Sequence, residues 1–428
     1  MPPNKLHWQV LIALGLAAGA GLATREDGSL LGLPALAVYD FLGSLFLNAL
    51  KMLIVPLIVA SIIAGLANNR GMSGLGRLGG KTVAWYLTTT TLAVLVGLLA
   101  LNLVQPGVVD GQPAKDRLGL AAETGAVMEK VAGRDSGDLI EIVLRMVPPN
   151  IVSAAAEGQM LGLITFSLLF GYFITRLPDE LGQHQRSFWE GFAQVMLKIT
   201  ELVMRFAPIG VFGLVAKVVA TSGLEAFRPL AGFFFTVLAA LAIHMFVVLP
   251  LLLKLVGRVS PVRHFQAMSP ALLTAFSTAS SSATLPLTMD CVEKRAGVSE
   301  RTSSFVLPLG ATVNMDGTAL YECAAVLFIA QAYGVELGFV QQLTVVVLAL
   351  LTSIGVAGIP AASLVAITLI LTHFGLPAEA IGLILATDRV LDMCRTSVNV
   401  FSDACGAVVI ARSEGERPLT EEDGRKPQ

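Results

Sequence analysis

"ATDRVLDMCRTSVNVFSDACG", residues 386–406, sets Asp388, Asp392, Arg395, Thr396, Asn399 and Asp403 inside a strongly apolar stretch of the chain. At about 3.6 residues per turn their spacings of 4, 3, 1, 3 and 4 gather them on one arc of a helix, roughly 100° wide. Val390, Leu391, Val398 and Phe401 lie mostly elsewhere. A charged side chain at membrane depth costs at least ~2.5–3.5 kcal/mol even on lenient insertion scales. A stripe carrying both signs therefore has to face a cavity, a ligand or a partner. A network that merely glued helices together would need fewer groups than Asp388, Arg389, Asp392, Arg395 and Asp403 supply, with neutral hydrogen-bonders besides.

The surrounding composition is that of a membrane protein. Of 428 residues, 54% are hydrophobic and only 14% charged, where soluble domains carry nearer a quarter. Mean hydropathy is +0.74. Apolar runs such as "WQVLIALGLAAGAGLA" and "FFFTVLAALAIHMFVVLPLLLKLV" recur along the chain. Each approaches the ~20 residues that carry a helix across a bilayer. Long continuous runs suit helices rather than alternating barrel strands. The first run reads as a membrane helix, not a cleaved signal: no small-x-small site leads into a soluble domain. A net charge of −2 says nothing about nucleic acid, and there is no basic tract beyond short loop clusters. The cysteines Cys291, Cys323, Cys394 and Cys405 form no CxxC and read as small packing residues.

The runs predict spans near 8–24, 41–66, 82–104, 139–176, 191–221 and 230–257. The loops 67–81 (Arg70, Arg77, Lys81) and 254–264 (Lys254, Arg258, Arg263, His264) hold bases and no acid. They place the N-terminus in the cytoplasm, with the charged tail on the same side. Residues 265–411 behave differently. "MSPALLTAFSTASSSATLPLTMDCV" breaks at Ser280–Ser282 and Pro286. "LTSIGVAGIPAASLVAITLILTHFG" breaks at Gly355, Gly358, Pro360 and Ser363. Each halves into two short helices around a tip, which at membrane depth has to be buried in protein or line a cavity. After each comes a span with polar residues in it, 303–333 and 380–411. Hairpin–helix followed by hairpin–helix is a repeat, and paired broken segments point to a transporter's binding site.

Within "LPLGATVNMDGTALYE", 307–322, the run Asn314-Met315-Asp316-Gly317-Thr318 resists a regular helix, because Asn and Asp compete for backbone bonds and Gly permits unwinding. Freed carbonyls and a carboxylate make an all-oxygen cage suited to a hard cation such as sodium. In "AWYLTTTTLAV", Tyr86 and Thr88–Thr91 are a weaker signal, since threonines in membrane helices often bond their own backbone. The serine tip lacks the oriented base that hydrolase chemistry needs. It suits an anionic carboxylate at a half-helix N-terminus instead. The readings are a transporter, an ion channel and an intramembrane enzyme, of which the last lacks its base.

Four segments, "SSSATLP", "NMDGT", "SIGVAGIP" and "DMCRTSVNVFSD", resemble the signature regions of the glutamate/aspartate:cation symporters, the dicarboxylate/amino acid:cation symporter family. "MLIVPLIVASI" and "VPPN" resemble that family's scaffold segments, so the resemblance covers nearly the whole chain in order. It implies an all-α polytopic membrane protein: eight transmembrane helices plus two re-entrant helical hairpins, built as inverted repeats and working as an elevator-type transporter. It implies a homotrimer in the plasma (inner) membrane. Residues 1–81 would form scaffold helices 1–2, 82–104 transport-domain helix 3, and 105–221 an external loop with scaffold helices 4–5. Residues 230–411 would form the transport core and 412–428 a cytoplasmic tail.

By motif position, the resemblance gives Asp392 the substrate amino group and Arg395 its side-chain carboxylate. Asn399, Thr396 and Thr318 take the α-carboxylate and amino ends, and Ser281 and the backbone around Ile359 supply the two tips. Having both Asp392 and Arg395 favours an acidic amino acid, aspartate or glutamate. Sodium ions, co-transported, would use Gly310, Asn314, Asn399 and Asp403; then Thr312, Ser353, Ile354 and Val356; then Tyr86, Thr89, Thr90, Asn314 and Asp316. No organic cofactor is implied. Ala279 stands where some prokaryotic members carry Arg, and Arg389 adds a base on the last helix. Glu322 matches a Glu of proton-coupled relatives and is a candidate proton carrier, because burial disfavours a carboxylate's charge. A purely proton-driven glutamate symporter on the same fold is the alternative within the family.

Overall fold

A computed structural model describes residues 6–25, 28–30, 32–67, 76–115, 118, 144, 146–156, 160–223, 227–355, 362–377 and 380–419. These are almost entirely helical. Helices α1 (Leu6–Thr24), α2 (Ala35–Ala67) and α3 (Gly76–Val104) come first. Next are a short α4 (Ile151–Ala156), α5 (Met160–Ile174), α6 (Asp179–Arg205) and α7 (Ala207–Ser222). The Asn150 side chain caps α4, its Oδ1 accepting from Val152 N at 2.9 Å. The expected span at 191–221 is corrected. Its helix begins at Asp179, and the chain bends by 51° between α6 and α7. Pro208 stands in the first turn of α7; proline lacks a donor and restricts the residue before it, here Ala207.

Helix α8 spans Phe227–Gly257 and contains two π-helical turns, His244–Val248 and Leu253–Gly257. Hairpin 1 follows as α9 (Pro261–Thr278) and α10 (Ser281–Asp290). Its tip turns at Ala279, which has φ +50 and is almost fully buried. A non-glycine residue there is strained and persists because its surroundings hold it. Ser280 caps α10, its side chain accepting from Ala283 N at 3.2 Å. Then α11 (Glu300–Val313) and α12 (Asp316–Ala332) are separated by an unwound Asn314-Met315, as the composition of that run predicts. The arms of hairpin 2 are α13 (Phe339–Gly355) and α14 (Ala362–His373). Its tip, with Val356 and Ile359, lies outside the described residues. The last helix, α15, runs unbroken from Ile381 to Ser413.

Among the described residues, three stretches are each long and apolar enough to cross a bilayer, Arg77–Val104, Phe227–Gly257 and Glu300–Ala332; α6 and α7 together make a bent fourth. Most of the third is buried within the protein, so other helices surround it rather than lipid. Two apolar cores organise the helices. The larger joins α1, α2 and α7 to the first half of α8, to α12 and to both arms of hairpin 2. The second joins the start of α3 and the end of α8 to hairpin 1, α11 and the end of α15.

The two ends of the molecule are pinned differently. At one end a small hairpin, Val108–Val109 paired with Gln112–Pro113, carries Asp110, which takes both arms of the Arg228 guanidinium at 3.2 Å. Gln342 and Asn102 tie α13 to α3 at 2.8 Å. At the other end residues 413–419 strap across three elements. Lys81 of α3 binds Ser413 Oγ at 2.9 Å and pairs with Glu414. Glu416 accepts from Ser299 N (2.8 Å) and Thr302 Oγ1 (2.6 Å) at the N-terminus of α11. Leu419 N donates to Ala296 O at 2.9 Å.

Candidate functional site

The break between α11 and α12 lies against α3 and α15, and the polar residues of all four meet there. Four consecutive threonines on α3 divide by face. Thr88 is exposed and Thr91 half-buried, and they bond the backbone oxygens of Ala84 and Leu87, the bland behaviour of threonine in a membrane helix. Thr89 and Thr90 are buried and turn inward. Thr90 Oγ1 donates to Asp316 Oδ1 at 2.7 Å and lies 3.2 Å from Asn314 Oδ1. Thr89 Oγ1 lies 3.2 Å and 3.3 Å from the same two oxygens. Four side-chain oxygens, one of them anionic, thus converge from three segments. Their hydroxyls can turn lone pairs toward a cation, and an all-oxygen set suits a hard one.

Asn314 links this cage to a second carboxylate. Its Nδ2 donates to Asp403 Oδ1 at 2.9 Å and to Ser402 Oγ at 3.1 Å. Tyr86 Oη donates to Val306 O at 2.7 Å. Gly310 is packed so closely that a Cβ would sit 2.5 Å from Asp403 Oδ1 and 2.6 Å from Tyr86 Oη. Only glycine lets that backbone approach a carboxylate and a phenol together. Asn399 Oδ1 accepts from Gly317 N at 2.7 Å, and its Nδ2 reaches Thr318 Oγ1 at 3.2 Å.

The stripe on α15 is a buried charge cluster. Arg395 is 1% exposed. Its Nη2 bonds Asp388 Oδ1 at 3.0 Å and Asp392 Oδ1 at 2.9 Å, and its Nη1 bonds Ser363 Oγ of α14 at 2.8 Å. The guanidinium also lies 3.8 Å over the Tyr321 ring, a cation–π contact strengthened by the absence of water. Arg395 is thus held by two acids that a substrate carboxylate could replace. Ser281 is buried at the tip of hairpin 1, while Thr396 bonds the backbone of Asp392 at 2.8 Å.

The second set expected to hold sodium is only partly described. Thr312 and Ser353 bond the backbones of their own helices, at 3.0 Å to Leu309 O and to Leu350 O respectively. Ile354 belongs to α13. Val356, like Ile359 of the substrate set, falls outside the described residues. Glu322 is fully buried; its Oε2 accepts from Thr352 Oγ1 at 2.7 Å, and its Oε1 has no partner among the described residues.

Sequence reasoning missed His244, Ser402 and Ser363. His244 is completely buried on the first π-turn of α8, with Nε2 3.0 Å from Asp316 Oδ2. Ser402 donates to that same oxygen at 2.6 Å. A proton on Nε2 satisfies the histidine contact and leaves Nδ1, which has no partner among the described residues, as a bare lone pair. The signal for His244 was present, since an ionisable residue within an apolar span is a site residue by default. Helical spacing also places Ser402 beside Asn399 and Asp403.

Broken helices around buried oxygen cages and a buried Asp–Arg pair define a membrane transporter. Comparison with known proteins gives the same class. The profile of the Sodium:dicarboxylate symporter family matches residues 6–413. The chain is 34% identical over 424 residues to the proton/sodium-glutamate symport protein of Bacillus caldotenax, covering 98% of this chain and 97% of that one. It is 35% identical over 462 residues to human excitatory amino acid transporter 3, covering 95% and 86%. It is 34% identical over 414 residues to the proton/glutamate-aspartate symporter of Escherichia coli (strain K12), covering 96% and 93%. The chain belongs to the sodium:dicarboxylate symporter family, and it is a transporter, not an enzyme.

Proposed function

We propose that the protein imports L-aspartate or L-glutamate together with sodium, with Glu322 carrying a proton in the same cycle. The observation that carries this reading is the buried Arg395–Asp392 pair one helical turn from Asn399, which itself bonds the backbone beside the Asp316 cage. In the proposed bound state Arg395 takes the substrate's side-chain carboxylate and Asp392 its ammonium group. Asn399, Thr396, Thr318 and Ser281 hold the other end. Oxygens around Asn314, Asp316 and Asp403 hold sodium. The names of the relatives support a glutamate-type substrate, and they invoke both protons and sodium.

The reading includes an elevator movement of residues 82–104 and 230–411 against a scaffold of 1–81 and 105–221, within a homotrimer. The face of α6 supports association. Lys198 and Glu201 pair at 3.1 Å while 74% and 58% exposed, beside exposed Val195 and Leu202. Lipid against such a pair would cost about 2.5–3.5 kcal/mol per ion; a second copy or a water-filled basin removes that cost. The strapped end carries Arg77, Lys81, Lys294, Arg295, Arg301 and Arg412. The positive-inside rule supports a cytoplasmic strapped end, with both termini on that side in this reading.

A purely proton-driven cycle is the second reading, and the burial of Glu322 favours it. Uptake into proteoliposomes, with sodium and pH gradients imposed separately, tells the two apart. A sodium gradient alone should accumulate aspartate, and Glu322→Gln should remove the pH effect. Accumulation indifferent to sodium would establish the proton-only cycle. No accumulation of either amino acid under either gradient would refute the proposal.

A further inference from the structure

Most hydroxyls of hairpin 2 serve their own helices. Thr344 and Ser353 of α13 donate to Val340 O and Leu350 O, each at 3.0 Å, and Thr368 of α14 donates to Leu364 O at 2.8 Å. Ser363 of α14 turns elsewhere. It is buried, and its Oγ accepts from Arg395 Nη1 at 2.8 Å. Among the described residues it is the only hydrogen-bond partner of Arg395 outside α15. That bond decides how the two acids of α15 hold the guanidinium. Nη2 donates to both, to Asp388 at 3.0 Å and to Asp392 at 2.9 Å, so each aspartate makes a single bond to Arg395. Nε is buried and has no partner among the described residues. The strong arginine–carboxylate pair is bidentate and needs two guanidinium nitrogens for one carboxylate. Tyr321 packs against one face of the guanidinium at 3.8 Å, which confines the group to turning in its own plane. The bond from Nη1 to Ser363 stops that turn.

We infer that Ser363 is a positioning residue that keeps Arg395 releasable from its own acids, and so available to a substrate carboxylate. This rests on the role proposed for Arg395. By occupying Nη1, Ser363 confines both aspartates to Nη2 and leaves the Nε–Nη2 edge open to exchange. A carboxylate arriving on that edge gains the idle Nε and one Nη2 hydrogen. It displaces an aspartate held by one bond, and the Ser363 bond stays intact throughout. Without the hydroxyl, Nη1 becomes a buried donor with no partner, which is a costly state. The guanidinium then turns until one aspartate spans two of its nitrogens. Substrate has to break that stronger pair before it can bind. Loss of the hydroxyl therefore weakens acidic substrates, while the oxygens of Thr89, Thr90, Asn314 and Asp316 are untouched.

The test uses the full-length protein in proteoliposomes. Uptake of labelled L-aspartate is measured in the wild type, S363A and S363T, against aspartate concentration at saturating sodium and against sodium at saturating aspartate. In S363A the aspartate half-saturation should rise about tenfold or more, with the maximal rate within about twofold of wild type. The sodium half-saturation should not move. S363T keeps the hydroxyl and should restore an aspartate half-saturation near the wild-type value. A merely structural loss would lower the maximal rate and leave half-saturation alone, and that result in S363A would overturn the inference. So would an unchanged aspartate half-saturation in S363A, or an equal rise in S363T, which would show that the hydroxyl is not what matters. Wild-type vesicles that take up neither aspartate nor glutamate would instead defeat the proposed function itself.

Discussion

Asp316 holds its two oxygens to different tasks. Oδ1 faces Thr89, Thr90 and Asn314, while Oδ2 is held by Ser402 and His244. Partners behind a ligand commonly matter 10–100-fold for cation affinity, because they fix its direction. His244→Leu should therefore raise the sodium concentration for half-maximal uptake by about tenfold or more, with a smaller effect on aspartate half-saturation at saturating sodium. Sodium titration of uptake reads this directly, and an unaltered sodium dependence would leave His244 a packing residue. At this scale the sequence was informative where chemistry is local. Asn314, Asp316 and the α15 stripe stand out because they are polar where lipid or core should be. It was less informative about partners. Nothing in "HMFVV" says that His244 meets Asp316, 72 positions away, and nothing in four equal threonines says which two face inward.

Elements were legible where composition breaks a helix from within. Asn-x-Asp-Gly unwinds the join of α11 and α12, and hairpin 1 turns at Ala279 with Ser280 as the cap, while the break expected at Pro286 does not occur because Pro286 lies within α10. The bend between α6 and α7 was not read, because its apolar run continues through Phe206 and only Pro208 marks it. The strap at 413–419 was not read either, since a charged tail looks solvated until its partners are known. Glu416 gives it a pH signature. Burial alone would raise this carboxyl. Donation by Ser299 N–H and by the Thr302 and Ser299 hydroxyls, with Arg301 nearby, outweighs burial and holds it below its ordinary value. A carboxyl lowered by folding contributes stability above its unfolded pKa of about 4.3 and loses it as pH falls through the folded value. Glu416→Gln should accordingly lower the thermal unfolding midpoint at pH 7 by about a degree or two. That deficit should fade as pH drops below about 4.3 and vanish once pH is below the lowered folded value. A deficit that persists at acidic pH would mean the carboxylate's charge is not what holds the strap.

Across the molecule, the proposed cation and substrate sites are joined through shared atoms. Asn399 bonds Gly317 N beside Asp316, and Asn314 bridges the threonine cage to Asp403. Under the proposed function, ordering one site orders the other, and linkage requires the effect to be mutual. Sodium should tighten aspartate binding to the purified protein by the same factor by which aspartate tightens sodium. That factor should be about tenfold or more. Calorimetric titrations in both orders measure it, and a factor near one would separate the sites. The extent of the fold was readable from hydropathy, but the number of independent crossings was not. Burial of Glu300–Ala332 among other helices shows why: in its polar-studded second half the chain is packed by protein as much as by lipid.

The π-turn at His244–Val248 has a consequence for how one helix meets two neighbourhoods. A turn that closes five residues on instead of four carries one residue more than the regular repeat. It shifts everything after it by about 100° around the axis. Before the turn, Leu230, Phe233, Val237, Ala240 and Leu241 point into the larger core. After it, Leu249 and Leu253 point into the second. In a strictly regular helix Leu249 and Leu253 would lie about 150° around from the first set; the extra residue brings them back to within about 50° of it, so one side of α8 meets both cores. Deleting one residue between 244 and 248 would leave composition and length almost untouched. It would nevertheless put the two halves of α8 out of step, with His244 turned away from Asp316 or Leu249 turned out of its core.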